Sequence, residues 1–453
     1  MMPILALLLA VASPVTDSGT VSSANASYDG SALSLKGQVV LDHGLGKMNA
    51  DEAILERQEV GKEFPFSLIH LKKDVLLALK NNAELKCDVA DFDFGILKGR
   101  LSAADKVVYT DHLKRKKGPP TPLRFMSPLI DLQLIKKEVA GQKTQFEIGT
   151  ILAQESVEIE YADQFILQAD HAIFRKAENN LSAYPKDAAA KCSLFHETDQ
   201  IDAQAAHLDL QLSKLTLEQP QGAVRNLRFK ADAATWDQPK NTLTLKDHIE
   251  AEEPSFGQIF SDNELQIVLK GKNTIAAIKT KGKTTLHDAN AHKLVSFGTM
   301  VIDREKLHGS ADSPLIEGVV PEGQQIYYEE SDIAIFADKA HIEYSEKFRP
   351  VSLALKGSIR ILSRDTSKPP RLGVADRVTY SPTTRTFILG ADPGKKVLFI
   401  NEEDNIRISA QEVHITEDPS TKKQTVKGIG QVQLALSTEE TALLQKIFKL
   451  PHL

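Results

Sequence analysis

The chain has 453 residues, 26% of them charged and 42% hydrophobic, with a formal net charge of −6. That length allows two or three packed domains. The acidic balance excludes a general attraction to nucleic acid or to an anionic membrane, so any anion recognition has to be local.

The first residues, MMPILALLLAVAS, carry an apolar run from Ile4 to Ala12 followed by small residues. This reads as a signal peptide over 1–13 with cleavage near Ala10-Val11-Ala12, although no Lys or Arg precedes the run. At about nine residues the run is too short to span a bilayer as a helix. The expectation is export.

A module then recurs along the chain, in which a stretch like A-D-x-A leads into an alternating strand. It first appears in YDGSALSLKGQVVLDHGLGKMNADEAILE, residues 28–56. Leu33, Leu35, Val39 and Leu41 lie at even spacing and share one strand face, while Ser34, Lys36, Gln38 and Val40 face the other way. Gly37 interrupts the inward row where a bulge or bend fits. Cys87 and Cys192 are the only cysteines. They form no zinc pattern, and one disulfide or two buried thiols are both compatible with their spacing. Residues 112–122, HLKRKKGPPTP, pack Lys114, Arg115, Lys116 and Lys117 beside prolines. They read either as a solvated loop or as a contact for phosphorylated sugars or an anionic leaflet.

Further copies follow at 166–174, 231–252, 333–362, 372–391 and 408–436. In them Phe165 and Leu167, Leu243 and Leu245, Phe387 and Leu389, and Val432 and Leu434 take the inward places. Gly357 occupies the place of Gly37, and the small Ala of each pair (Ala53, Ala172, Ala234, Ala340) suits close stacking. The pattern weakens over 218–228, which places a boundary between segments 14–225 and 226–436. The end differs: Ser437 and Glu440 have capping-box spacing, and Leu443, Leu444, Ile447 and Phe448 form a helical apolar stripe, so 437–453 reads as a helix that covers an open sheet end. Short strands with frequent turns predict an all-β fold of one or two stacked β-jelly-rolls.

Catalytic patterns are missing. The thirteen histidines form no H-x-x-x-H or Cys/His cluster, and there is no G-x-S-x-G elbow and no Walker loop. Asp91 and Asp93 match a carboxylate pair, but alternate residues on one strand more often form a solvated face. No metal, cofactor or catalytic residue is expected.

The A-D-x-A turns followed by L-x-L-x-G-x-V strands resemble the OstA-like (LptA-like) repeat of the periplasmic lipopolysaccharide-transport family, most clearly at 26–56, 229–252 and 372–436. The resemblance implies an open, twisted β-jelly-roll whose apolar groove shelters the acyl chains of lipid A. It also implies a periplasmic location, head-to-tail joining through unpaired edge strands, and inner- and outer-membrane transport components as partners. The chain is about the length of two such rolls, which leaves the need to oligomerise open. At 6% aromatics it has no aromatic-girdled membrane barrel. For lipid contact the inward residues Leu33, Leu35, Val39, Leu41, Phe165, Leu167, Leu243, Leu245, Phe387, Leu389, Val432 and Leu434 are the candidates, with plain core packing as the alternative. An envelope scaffold with a closed dry core and a β-helix carbohydrate-active enzyme are the competing readings.

Overall fold

The computed structural model describes residues 20–57, 66–113, 119–137, 145–162, 164–271, 274–288, 292–330, 333–364, 367, 369–418, 420–421 and 423–449. The expected signal segment and the cations Lys114, Arg115, Lys116 and Lys117 lie outside the described residues. The described chain is all-β with one short helix, Thr438–Phe448, at its C-terminal end. It divides into two compact units, 1–217 and 218–453. A division at 225/226 falls in the turn between Gln221–Val224 and Leu227–Lys230, which pair as a hairpin, so this hairpin belongs whole to the second unit.

Most of the first unit is an antiparallel meander of eight long strands, from Ala32–His43 to Phe165–Arg175, each paired with the next. In Leu68–Leu79 the inward residues Ile69 and Leu71 are followed by Lys73 and Asp74, both at positive φ, and then by inward Val75, Leu77 and Leu79. The register shifts at that point. Such an insertion bends the strand and keeps its apolar face inward on both sides of the bend. Gly37 (φ 77°) with Gln38 makes the same kink in Ala32–His43, as the sequence predicts, but Glu155 and Ser156 make it without glycine.

The A-D motif has a role at these bends that its alanines do not reveal. Asp170 accepts the amide of Lys186 at 2.7 Å and Asp376 that of Asp392 at 2.8 Å, and Asp88, which follows Cys87 in place of an alanine, accepts that of Ala104 at 2.7 Å. Asp232 meets His248 Nδ1 at 2.6 Å. All four partners lie 16 residues downstream, so the aspartate ties one bend to the next. The second Ala of the motif is buried at Ala53, Ala172, Ala234 and Ala340, where a larger side chain would force the layers apart.

The second unit is built differently. Hairpins alternate between two ladders. Leu227–Lys230, the hairpin Ile249–Glu253 with Gly257–Ser261, the hairpin Thr284–His287 with Lys293–Ser296, and the hairpin Ile326–Glu330 with Ile333–Ala337 make one ladder. The hairpins Ala233–Asp237 with Thr242–Lys246, Glu264–Lys270 with Thr274–Lys281, and Thr299–Asp303 with His308–Asp312 make the other, continued by Lys339–Tyr344. Pro350–Ser363 then serves both, pairing with Lys339–Tyr344 before Gly357 and with Ile333–Ala337 after it. Gly357 has φ 80° and the register shifts there, as the glycine predicts.

The C-terminal helix starts on the expected capping box, with Ser437 Oγ accepting from Glu440 N and Glu440 Oε2 accepting from Ser437 N. Leu444 is fully buried against Leu372, Leu398 and Ile400, so the helix covers a sheet face. All five residues of Val397–Asn401 are buried in consequence. The two cysteines are free and buried, which resolves the alternatives left by their spacing. Burial pushes both thiols up to about 12.

Candidate functional site at the mouth of the second unit

Along one side of the second unit the hairpin turns of both ladders converge, and between them a pocket of about 470 Å³ opens. The first ladder contributes Pro254, Ser255 and Phe256 from one turn, Asp288 and His292 from the next, and Leu286, Leu294 and Tyr328 from its strands. The second contributes the turn residues Lys347, Phe348 and Arg349, together with Ile342, Tyr344, Leu353 and Tyr380. The wall is therefore mostly aromatic and aliphatic with a few polar groups, the composition of a small-molecule pocket.

Two polar links cross between the ladders beside the pocket. Arg304 donates to Glu253 Oε1 at 3.1 Å and to Ser255 Oγ at 3.3 Å, and its guanidinium lies 4.9 Å from the centroid of Phe348. Phe348 in turn stacks on Tyr344 at 4.2 Å. Glu253 is only 3% exposed, and a carboxylate so enclosed requires its cation. The second link centres on Glu330, which accepts from Tyr328 Oη at 2.9 Å and from Tyr380 Oη. His292 Nε2 lies 3.6 Å from Glu330, and its Nδ1 lies 2.9 Å from Asp288.

These partners set the chemistry. Burial, and then the Glu330 carboxylate, push the hydroxyls of Tyr328 and Tyr380 well above the ordinary tyrosine range. The hydrogen bond to Asp288 raises the pKa of His292. Tyrosines held neutral, and an imidazole whose protonated form the neighbouring carboxylates favour, are poor proton acceptors. They suit ordering the mouth and offering hydrogen bonds.

The residues singled out from sequence lie elsewhere. Leu35, Val39, Leu41, Phe165, Leu167, Leu243, Leu245 and Leu389 are buried and inward as expected, and Leu33 and Phe387 are half-buried. None of them lines this pocket. Val432 and Leu434 do not face inward: they are 43% and 80% exposed. The strand Gln424–Ile429 ends at Gly430 and Gln431, both at positive φ, and the chain then bridges through Gln433 to Ser409. The alternation of the strand is lost across that turn. Asp91 and Asp93 both line a separate pocket of the first unit, with His70, Arg100 and Asp131, and each has its own partner. Asp91 meets His70 at 2.8 Å, and Asp93 accepts the amides of Gly95 and Ile96 in a turn.

Sequence reasoning missed the pocket. Its signal was a run of aromatic and cationic turn residues, Lys347-Phe348-Arg349, in a place where turns are usually small and polar.

No protein-family model and no curated protein matches the sequence. Among solved structures, the extracellular domain of a hybrid two-component system from B. thetaiotaomicron aligns over 94% of this chain and 73% of that chain, at 8% identity and a TM-score of 0.09. So slight a likeness carries no argument about fold or function.

Proposed function

We propose that the chain is a periplasmic lipopolysaccharide-binding protein that takes acyl chain from the ligand at the mouth of its second unit and passes the lipid onward without chemical change. The observation that carries this reading is the apolar, aromatic-walled pocket between two β-ladders. At roughly 30 Å³ per methylene, about the volume share of a water, the pocket accommodates on the order of fifteen methylenes. Each adds about 0.8 kcal/mol on leaving water. The repeat resemblance supports the same reading independently of the pocket. Edge strands support transfer to neighbouring components: Gln424–Ile429 pairs only with Glu412–Glu417 among the described residues, and an unpaired edge accepts a further strand.

A scaffold role is favoured by one observation, that Leu243, Leu245 and Leu389 have no exposed surface. Those three side chains are closely packed, which favours binding at the mouth over binding along the whole length of the roll. The test is a photo-crosslinking residue at Leu353 in the pocket and another at exposed Lys246, each incubated with purified lipopolysaccharide. Adducts at 353 alone support the transport reading. Labelling at neither position, with the fold intact by circular dichroism, leaves the scaffold.

A further inference from the structure

Within the pocket reading just given, on which this inference rests, the charged groups at the mouth are not evenly matched. Four charged side chains line the pocket: Asp288, His292, Lys347 and Arg349. Asp288 and His292 hold each other at 2.9 Å. Glu330, behind them, is occupied by Tyr328, Tyr380 and His292, and Arg304 is occupied by Glu253. Lys347 and Arg349 have no ion pair among the described residues, and both are exposed. Glu346 shares their turn but does not line the pocket.

We infer that Lys347 and Arg349 form an anion-binding lip, and that the pocket selects amphiphiles whose head group is an anion next to the chain. The turn that carries them is internally braced. Phe348 N donates to Ser345 O at 2.8 Å, Ser345 N to Arg349 O at 2.8 Å, and Arg349 N to Ser345 Oγ at 3.2 Å. Phe348, between the two cations, points into the pocket wall and is 4% exposed. One short turn therefore presents an apolar anchor flanked by two cations, which matches a hydrocarbon chain that ends in a phosphate or carboxylate. A guanidinium grips two oxygens of such a head, and a lysine adds a mobile charge beside it. In a chain of net charge −6 this is a local attraction that overall charge conceals.

The test uses the full chain and three twelve-carbon probes below their micelle concentrations: dodecyl phosphate, laurate and dodecyl maltoside. Binding is read by titration calorimetry in wild type, in Lys347→Ala/Arg349→Ala and in Leu353→Trp. The lip predicts that both anions bind the wild type about tenfold to a hundredfold more tightly than the maltoside. The double alanine variant should lose that margin and keep its maltoside affinity, and added salt should erode the anion advantage only. Phosphate favoured over laurate would identify a phosphate lip, and equal preference a general anion lip. An unchanged anion margin in the double variant overturns the lip and leaves the pocket reading standing. Wild-type binding of no probe, or equal binding by Leu353→Trp, overturns the pocket itself and the lip with it.

Discussion

Most of the first unit carries its chain through the bend inside single long strands, whereas the second, up to Pro350–Ser363, reverses the chain within each ladder before crossing over. The interiors differ accordingly. In the first unit Phe125 lies between Tyr109 and Phe174, at 6.1 and 5.7 Å, and His43 stands 4.1 Å from Phe94. Even a buried carboxylate is enclosed there, with the Nζ of half-buried Lys176 2.7 Å from Asp111 and Tyr109 Oη donating to the same oxygen at 2.6 Å. In the second unit the turns of the two ladders are separate loops, free to differ in length and composition, and a pocket lies between them. Continuous strands enclose these side chains and carry their own pocket of about 530 Å³ on strand residues such as His70, Asp91 and Arg100, while hairpins leave an edge of loops on which a site is built.

That contrast is open to measurement. Phe125→Ala should lower the unfolding free energy by about 4 kcal/mol, the range for an aromatic removed from a closed core, but Phe348→Ala only by about 2 kcal/mol because part of its surroundings is already empty. Urea unfolding of both variants reads the difference, and equal losses would mean that the mouth is as tightly closed as the core. Lys176→Met strands the Asp111 carboxylate and should cost about 3 kcal/mol, with partial recovery when Asp111→Leu is added. If the single variant is as stable as wild type, the pair is not enclosed as described.

One histidine in each unit should also respond to pH in the opposite direction to the other. Burial pushes His43 from 6.5 down to about 4. As pH falls below 6.5 the unfolded chain takes up a proton that the folded chain refuses, so the first unit loses up to about 3 kcal/mol by pH 4. His292 has a raised value, so its contribution is present below 6.5 and is lost as pH rises through its folded pKa. Hydrogen exchange followed across pH separates the two effects. His43→Phe should flatten the acid limb in the first unit, and His292→Gln the alkaline limb in the second. The smallest effect is expected at Gly357→Ala, about 1–2 kcal/mol, since φ is 80° and the new methyl would stand 2.4 Å from Asp338 Oδ2. A neutral result in thermal unfolding would show that this bend relaxes freely.

Much of this architecture is legible in the sequence. Even spacing of Leu33, Leu35, Val39 and Leu41 marks a strand with one buried face, and Gly37 and Gly357 mark bends because a positive φ favours glycine. Kinks at Lys73-Asp74 and Glu155-Ser156 are not legible, since Lys, Glu and Ser carry no such preference, that of Asp is weak beside glycine's, and the bend is imposed by pairing on both sides. The aspartate bonds escape because a carboxylate after alanine looks like any exposed polar residue until the next bend is placed beside it. The pocket escapes for a related reason. Alternation separates inside from outside along a strand, but it does not say which turns from distant hairpins come together. Val432 and Leu434 show the same limit, since a turn at Gly430-Gln431 ends the alternation that the residue spacing alone would continue.

The alternation of hairpins in the second unit also restricts how such a chain changes length. Each hairpin sends the next to the opposite ladder, so position along the chain has a parity. Inserting or deleting one hairpin would transfer every later hairpin to the wrong ladder and exchange turns that line the pocket for turns that do not. Only an even number restores the order. Growth in a unit of this kind is therefore quantised in pairs, and a viable variant should be longer or shorter by two hairpins and never by one.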